Sequence, residues 1–149
     1  MVERRPDRLM DGPNSQFWSY CAEGMLCLQR CLACAELAWP VTGTCMSCGS
    51  EEFEWCQCSG DGTLLSWCTF ERNYYTDVIP MPWDCIVVEL EEGPLFISNP
   101  HRFTTRDFAP ELPVRLAFRQ CEDRWGPFNL PVFEQATAAT IGGSGTRQR

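Results

Sequence analysis

Residues 31–48 read CLACAELAWPVTGTCMSC, two CxxC pairs separated by ten residues. Each pair offers two soft thiolate ligands from one tight knuckle, and ten residues suffice for a turn that brings Cys31, Cys34, Cys45 and Cys48 around one tetrahedral ion. Gly49, just after the second pair, gives the backbone the freedom such a knuckle needs. Zinc is the expected metal, and iron in the same thiolate geometry is its chemical competitor. Four protein ligands leave no position open for water, so the ion is expected to be structural. The stretch 31–50 carries too few apolar side chains for a core of its own, and a metal must replace that core.

On the N-terminal side, NSQFWSYCAEG (14–24) predicts a short helix capped by Asn14 or Ser15, carrying Phe17, Trp18 and Cys21 and closed by a left-handed Gly24. LCLQRC then alternates as a strand entering the first knuckle. On the C-terminal side come short β-runs broken by turns: FEWCQCS, TLLSWCTFE, WDCIVVELEEG, LFISN, PVRLAFRQCED and LPVF. The expected fold is mainly β: an N-terminal helical segment (1–28), a four-cysteine zinc ribbon (29–52), a five-stranded OB-like barrel (53–134) and a flexible Gly/Ser/Thr-rich tail (135–149).

The formal charge is −8, and its distribution is uneven. Residues 31–100 hold eleven acidic residues against Arg72 alone, whereas 101–149 hold five acidic residues and seven arginines. An acidic chain opposes binding to phosphate backbones. There is no lysine, which excludes Schiff-base chemistry and a P-loop lysine. His101 is the one histidine, so neither a two-histidine acyl-transfer site nor a histidine-rich catalytic metal site can be built from this chain. The other seven cysteines are expected to be small buried core residues. The polar N-terminus and the want of a long apolar run point to a cytoplasmic chain in a reducing compartment.

The ordered set Phe17-Trp18, LCLQRCLAC (26–34), Pro40, CMSCGS (45–50), Trp55, SGDG (59–62), VVELEEGP (87–94), PVRLAF (113–118) and LPVF (130–133) resembles the acyl-CoA-associated family that joins a rubredoxin-like zinc ribbon to an OB fold. That resemblance implies a non-catalytic accessory subunit of a thiolase-like enzyme, including steroid side-chain retro-aldolases, or of a hotdog-fold enoyl-CoA hydratase. A thiolase-like or aldolase partner would do the chemistry on acyl-CoA. Ala35 departs from the family's usual glycine after the second ligand, and Glu111-Leu112 stand where a glycine turn is common, so turn geometry is open at both places. The exposed aromatics expected on the helix and on 73–83 provide a surface for the partner. Within HRFTTR, Arg102 and Arg106 are the candidates for CoA phosphate contacts, by forked hydrogen bonds. From other functional classes come an OB-fold single-stranded nucleic-acid binder stacking bases on Trp55, Trp67, Phe70, Tyr74 and Tyr75, and an iron-bearing electron carrier.

Overall fold

A computed structural model describes residues 2–74 and 78–137. In chain order the elements are β1 (Glu3–Arg4), α1 (Asn14–Ala22), β2 (Cys27–Cys31), β3 (Leu37–Ala38), β4 (Phe53–Gln57), β5 (Asp61–Phe70), β6 (Trp83–Leu90), β7 (Leu95–Ser98), β8 (Leu112–Asp123) and β9 (Gly126–Gln135). They form two sheets. The smaller has the order β3-β2-β4, and the larger runs β1-β8-β5-β6-β7 with β9 added on β8. The strand Phe53–Gln57, grouped with the barrel on sequence, is hydrogen-bonded to β2 in the smaller sheet.

The larger sheet has the connectivity of a partly open Greek-key barrel: β5, β6 and β7 form a meander, β8 returns beside β5, and β9 follows on β8. Continuous pairing does not close it. Its ends meet at a single parallel bridge, Pro100 to Phe133, supported by His101 N–H to Phe133 O at 2.7 Å and Ser98 Oγ to Pro131 O at 2.8 Å. Period-two alternation sends Leu64, Ile86, Val88, Leu90, Phe96, Val114 and Phe133 into one core.

The SGDG stretch is the hinge between the sheets. Gly60 sits at φ +86°, its backbone against the Leu116 side chain, and at Gly62 a Cβ would stand 2.7 Å from the Glu89 carbonyl oxygen. Glycine is required at both positions by close approach. The ring of Trp39 stacks on Phe96 at 4.5 Å and meets Phe17 at 4.9 Å, which seats the smaller sheet and the helix on the barrel core.

The helix begins after Pro13 and has no side-chain cap, contrary to the expectation for Asn14 or Ser15. Both residues lie inside the first turn, where Asn14 Nδ2 and Ser15 Oγ donate back to the carbonyls of Asp11 and Gly12. Its C-terminus is as expected. Gly24 takes φ +78°, and the N–H groups of Gly24 and Met25 donate to the Cys21 and Tyr20 carbonyls, a Schellman closure. Phe17 is buried and Trp18 packs on the core and on Phe128, so the helix does not present the exposed aromatic surface expected of it.

The N-terminal arm was unforeseen. Strand β1 pairs in parallel with β8. Arg8 then grips Asp123 through its backbone N–H (3.0 Å), Nε (2.7 Å) and Nη2 (3.1 Å), while its guanidinium lies 4.1 Å from the centre of the Phe128 ring. The Asp123 side chain is wholly buried. Burial raises its pKa, but the hydrogen bonds from Arg8 outweigh burial and hold it below 3.8. The sign follows: a carboxyl lowered on folding stabilises the protein above its unfolded pKa, and that contribution is lost as pH falls through the lowered value. Asp123→Asn leaves Arg8 without its counter-charge and should cost about 3 kcal/mol in urea unfolding at pH 7. The difference from wild type should shrink as the pH drops below about 4.

Candidate metal centre

The two knuckles are built alike. In the first, Cys31 N–H donates to Glu36 O and Ala35 N–H to Cys31 O, both at 2.9 Å. In the second, Cys45 N–H donates to Ser50 O and Gly49 N–H to Cys45 O, both at 2.8 Å. The residue four places after each leading cysteine must therefore turn left-handed: Gly49 has φ +79° and Ala35 has φ +65°. The sequence departure at Ala35 falls on the first of these turns, and the backbone keeps the glycine conformation without the glycine. Glu111 likewise takes φ +62° where the second departure lies.

The four sulfur atoms converge, all within 4.8 Å of one another. Cys31 Sγ to Cys48 Sγ and Cys34 Sγ to Cys45 Sγ are both 3.6 Å. A disulfide would need about 2.05 Å, whereas a tetrahedral ion with Zn–S bonds of about 2.3 Å sets its sulfurs about 3.8 Å apart. The donor set therefore fits a tetrahedral, thiophilic ion. Backbone N–H groups of Cys34 and Ala33 aim at Cys31 Sγ and draw its pKa down to about 6. Those of Cys48 and Ser47 lower that of Cys45. These leading cysteines are buried, and their partners Cys34 and Cys48 are exposed. Among the described residues, these four form the one group of cysteine, histidine and carboxylate side chains close enough to hold a metal.

Of the other cysteines, Cys21, Cys27, Cys58 and Cys121 are buried as expected. Cys56 and Cys85 are half-buried and Cys68 is exposed, which departs from the core assignment. All three lie on strands with one face turned from the core, where alternation alone does not decide which side is covered.

Arg102 and Arg106 fall in the connection between β7 and β8, and both side chains are exposed. Among the described residues neither has a side-chain hydrogen-bond or ion-pair partner. By contrast Arg119 is held by Glu3 Oε2 at 3.3 Å and by the Pro100 carbonyl at 2.7 Å, and Arg124 pairs with Asp7 at 3.4 Å. His101 lies 3.5 Å from Arg119, and partial burial followed by Arg119 lowers its pKa. Of the aromatics considered for base stacking, Phe70 and Tyr74 line one cavity with Trp83, and the other described ones lie elsewhere. Trp55 of the smaller sheet meets Tyr20 of the helix, Trp67 meets Phe108, Phe70 meets Trp83 across the β5–β6 ladder, and Tyr75 lies outside the described residues.

One feature escaped the sequence reading: a cleft of about 480 Å³ between the first knuckle and the β6–β7 turn, lined by Arg30, Ala35, Glu36, Leu37, Glu92, Gly93 and Pro94. Its walls come from segments far apart in the chain, so no local pattern marks it. No helix among the described residues is long and apolar enough to cross a membrane.

No family model matches the chain. It is 27% identical over 140 residues to a probable enoyl-CoA hydratase alpha subunit of Thermomonospora curvata, a match covering 91% of this chain and 43% of that protein. The chain thus spans less than half the length of this curated relative. A solved structure described as the Ltp2-ChsH2(DUF35) aldolase superposes with a TM-score of 0.75 at 27% identity, covering 89% of this chain and all of the other. A DUF35-family protein of unknown function from Sulfolobus solfataricus shares the fold, with a TM-score of 0.58 at 8% identity over 85% of this chain and 87% of its own. The likeness read from the ordered motifs is therefore present in three dimensions over most of the chain.

Because Ala35 occupies a left-handed turn that the homologous position of the second knuckle fills with Gly49, Ala35→Gly should stabilise the protein by about 1 kcal/mol. Thermal or urea unfolding of the metal-loaded protein checks this, and a loss of stability would contradict the strain assigned to the turn.

Proposed function

We propose that this chain is a non-catalytic accessory subunit of a thiolase-superfamily acyl-CoA enzyme, a thiolase or a retro-aldolase acting on steroid or other lipid side chains, supporting assembly and CoA-substrate binding. The observation that carries this reading is the likeness, over the full length of the other chain, to a structure described as the Ltp2-ChsH2(DUF35) aldolase. The residue inventory agrees with it. With one histidine and no lysine, the chain is poorly equipped for acyl transfer on its own. The partner is a thiolase-like or aldolase subunit in a cytoplasmic hetero-oligomer, with no nucleic acid or membrane involved. A hydratase accessory subunit is the second reading, favoured by the name of the Thermomonospora relative.

Cys31, Cys34, Cys45 and Cys48 would hold one Zn²⁺, which when bound supplies cross-linking and charge neutralisation. Four thiolates whose nearest sulfurs are 3.6 Å apart repel one another, and a divalent cation at their centre removes that repulsion. Arg102 and Arg106 supply the cationic donors for CoA phosphates. They are exposed and free of ion pairs among the described residues, so binding an anion breaks no existing contact.

Protein purified without chelator should contain about one zinc per chain, and Cys45→Ser should lose it and unfold the ribbon, since structural zinc contributes on the order of 10 kcal/mol in small domains. Metal analysis giving iron would reassign the site to electron transfer. For the partner, affinity purification from the native organism should bring down a thiolase-like or hotdog-fold protein, and the two outcomes separate the two readings. In that complex, Arg102→Ala with Arg106→Ala should leave assembly intact and raise the KM for acyl-CoA about tenfold, because a remote phosphate grip acts equally on ground and transition states. Turnover of acyl-CoA by the isolated chain would refute the accessory role.

A further inference from the structure

Strands β5 and β6 place Cys68 and Cys85 directly opposite each other as Cα partners. Among the described residues no other two cysteines face each other in this way across a ladder. The pair sits on the outer face of the sheet: Ile86 and Val88 point into the core, and alternation turns Cys85 away from it. Phe70 opposite Trp83 follows on the same face, and Ile97, 65% exposed, extends it onto β7. The adjoining rung is pinned, because Thr69 Oγ1 donates to Asp84 Oδ1 at 2.7 Å, so the register at the two thiols is fixed. Both cysteines are free thiols, Cys68 exposed and Cys85 half-buried.

We propose that Cys68 and Cys85 form a redox-responsive thiol pair that closes to a cross-strand disulfide when the protein meets a hydroperoxide. Directly opposed strand residues have Cβ atoms about 4.5–5.5 Å apart, and a disulfide spans about 3.5–4.5 Å, so a small approach of two strands already paired suffices. The sulfur of exposed Cys68 attacks the peroxide, the O–O bond breaks, and one equivalent of alcohol or water leaves. The resulting Cys68 sulfenic acid is attacked by the Cys85 sulfur. An S–S bond forms, the S–O bond breaks, and water departs with the Cys85 proton. Two thiols lose two electrons in all, and the peroxide gains them. Burial, and then the charge of the neighbouring Cys68 sulfur, raise the pKa of Cys85. Cys85 is thus the resolving thiol and Cys68 the sulfur that meets the oxidant. The cross-link ties the apolar outer face to an oxidant signal, and it stands whether or not the accessory-subunit reading does.

The test treats the full-length, metal-loaded chain with increments of hydrogen peroxide, alkylates remaining thiols, and reads intact mass, peptide linkage and retained metal. The expected first product has lost two hydrogens, carries a Cys68–Cys85 linked peptide, keeps its metal, and reverts with dithiothreitol. In Cys68→Ser the linked species should fall from most of the chain to none. Cys68 is exposed, so this variant keeps the fold even if Cys85→Ser does not. A first disulfide between other cysteines would overturn the assignment. So would Cys68 oxidising while Cys85 remains fully alkylatable.

Discussion

Four sulfur atoms held within 4.8 Å of one another are the constraint on which the N-terminal third depends. The stretch that supplies them lacks the apolar side chains to collapse by itself, and its two knuckles close through backbone hydrogen bonds and left-handed turns. Thiolates at this spacing repel unless a cation sits among them. An ion held by these sulfurs would make its binding and the folding of the ribbon one event. Other N–H groups inside each knuckle, those of Cys34 and Ala33 and of Cys48 and Ser47, stabilise the thiolate of its leading cysteine.

The ribbon is useful to the molecule only because it is seated. Strand β2 leads from the helix into the first knuckle, and Leu28 on that strand is buried in the shared core with Phe17, Leu64 and Phe96. Trp39, between the knuckles, reaches the same cluster. Across the junction, Gly60 lets the chain pass against Leu116, while Glu92 Oε1 accepts the Ser59 N–H at 2.6 Å. One apolar cluster thus spans helix, ribbon and barrel, and the cleft beside Arg30 and Glu92 is a consequence of how the ribbon rests on the β6–β7 turn.

Electrostatics divide the surface in a way that bears on partners. The middle of the chain is acidic, and the arginines of the last third look interchangeable until their contacts are traced. Arg119 and Arg124 are engaged by Glu3 and Asp7 of the N-terminal arm. Their charge is spent internally, in partly solvated pairs of modest energy. Arg102 and Arg106 of the β7–β8 connection carry no such partner among the described residues, and neither does exposed Arg115 on β8. The outer face of β5 to β7 is a different surface, apolar and thiol-bearing, and a protein neighbour rather than an anion suits it.

The sequence by itself determined whatever rests on local spacing and periodicity. The CxxC pairs identified the sulfur cluster, because a knuckle is made by consecutive residues. Gly24 marked the helix end, because only a left-handed residue closes a Schellman turn without strain. The alternating runs marked the strands, because a half-buried strand must alternate. Tertiary structure alone decided what depends on residues distant in the chain. Strand Phe53–Gln57 joined the ribbon sheet because β2 offered it a free edge, a pairing preference that no local pattern encodes. The N-terminal arm was ordered by Asp123, more than a hundred residues away, through a buried ion pair whose members look like ordinary surface charges in sequence. Cys68 and Cys85, read as core residues, became exposed and half-buried facing thiols. Strand register, set by long-range pairing, chooses the covered face, and composition does not.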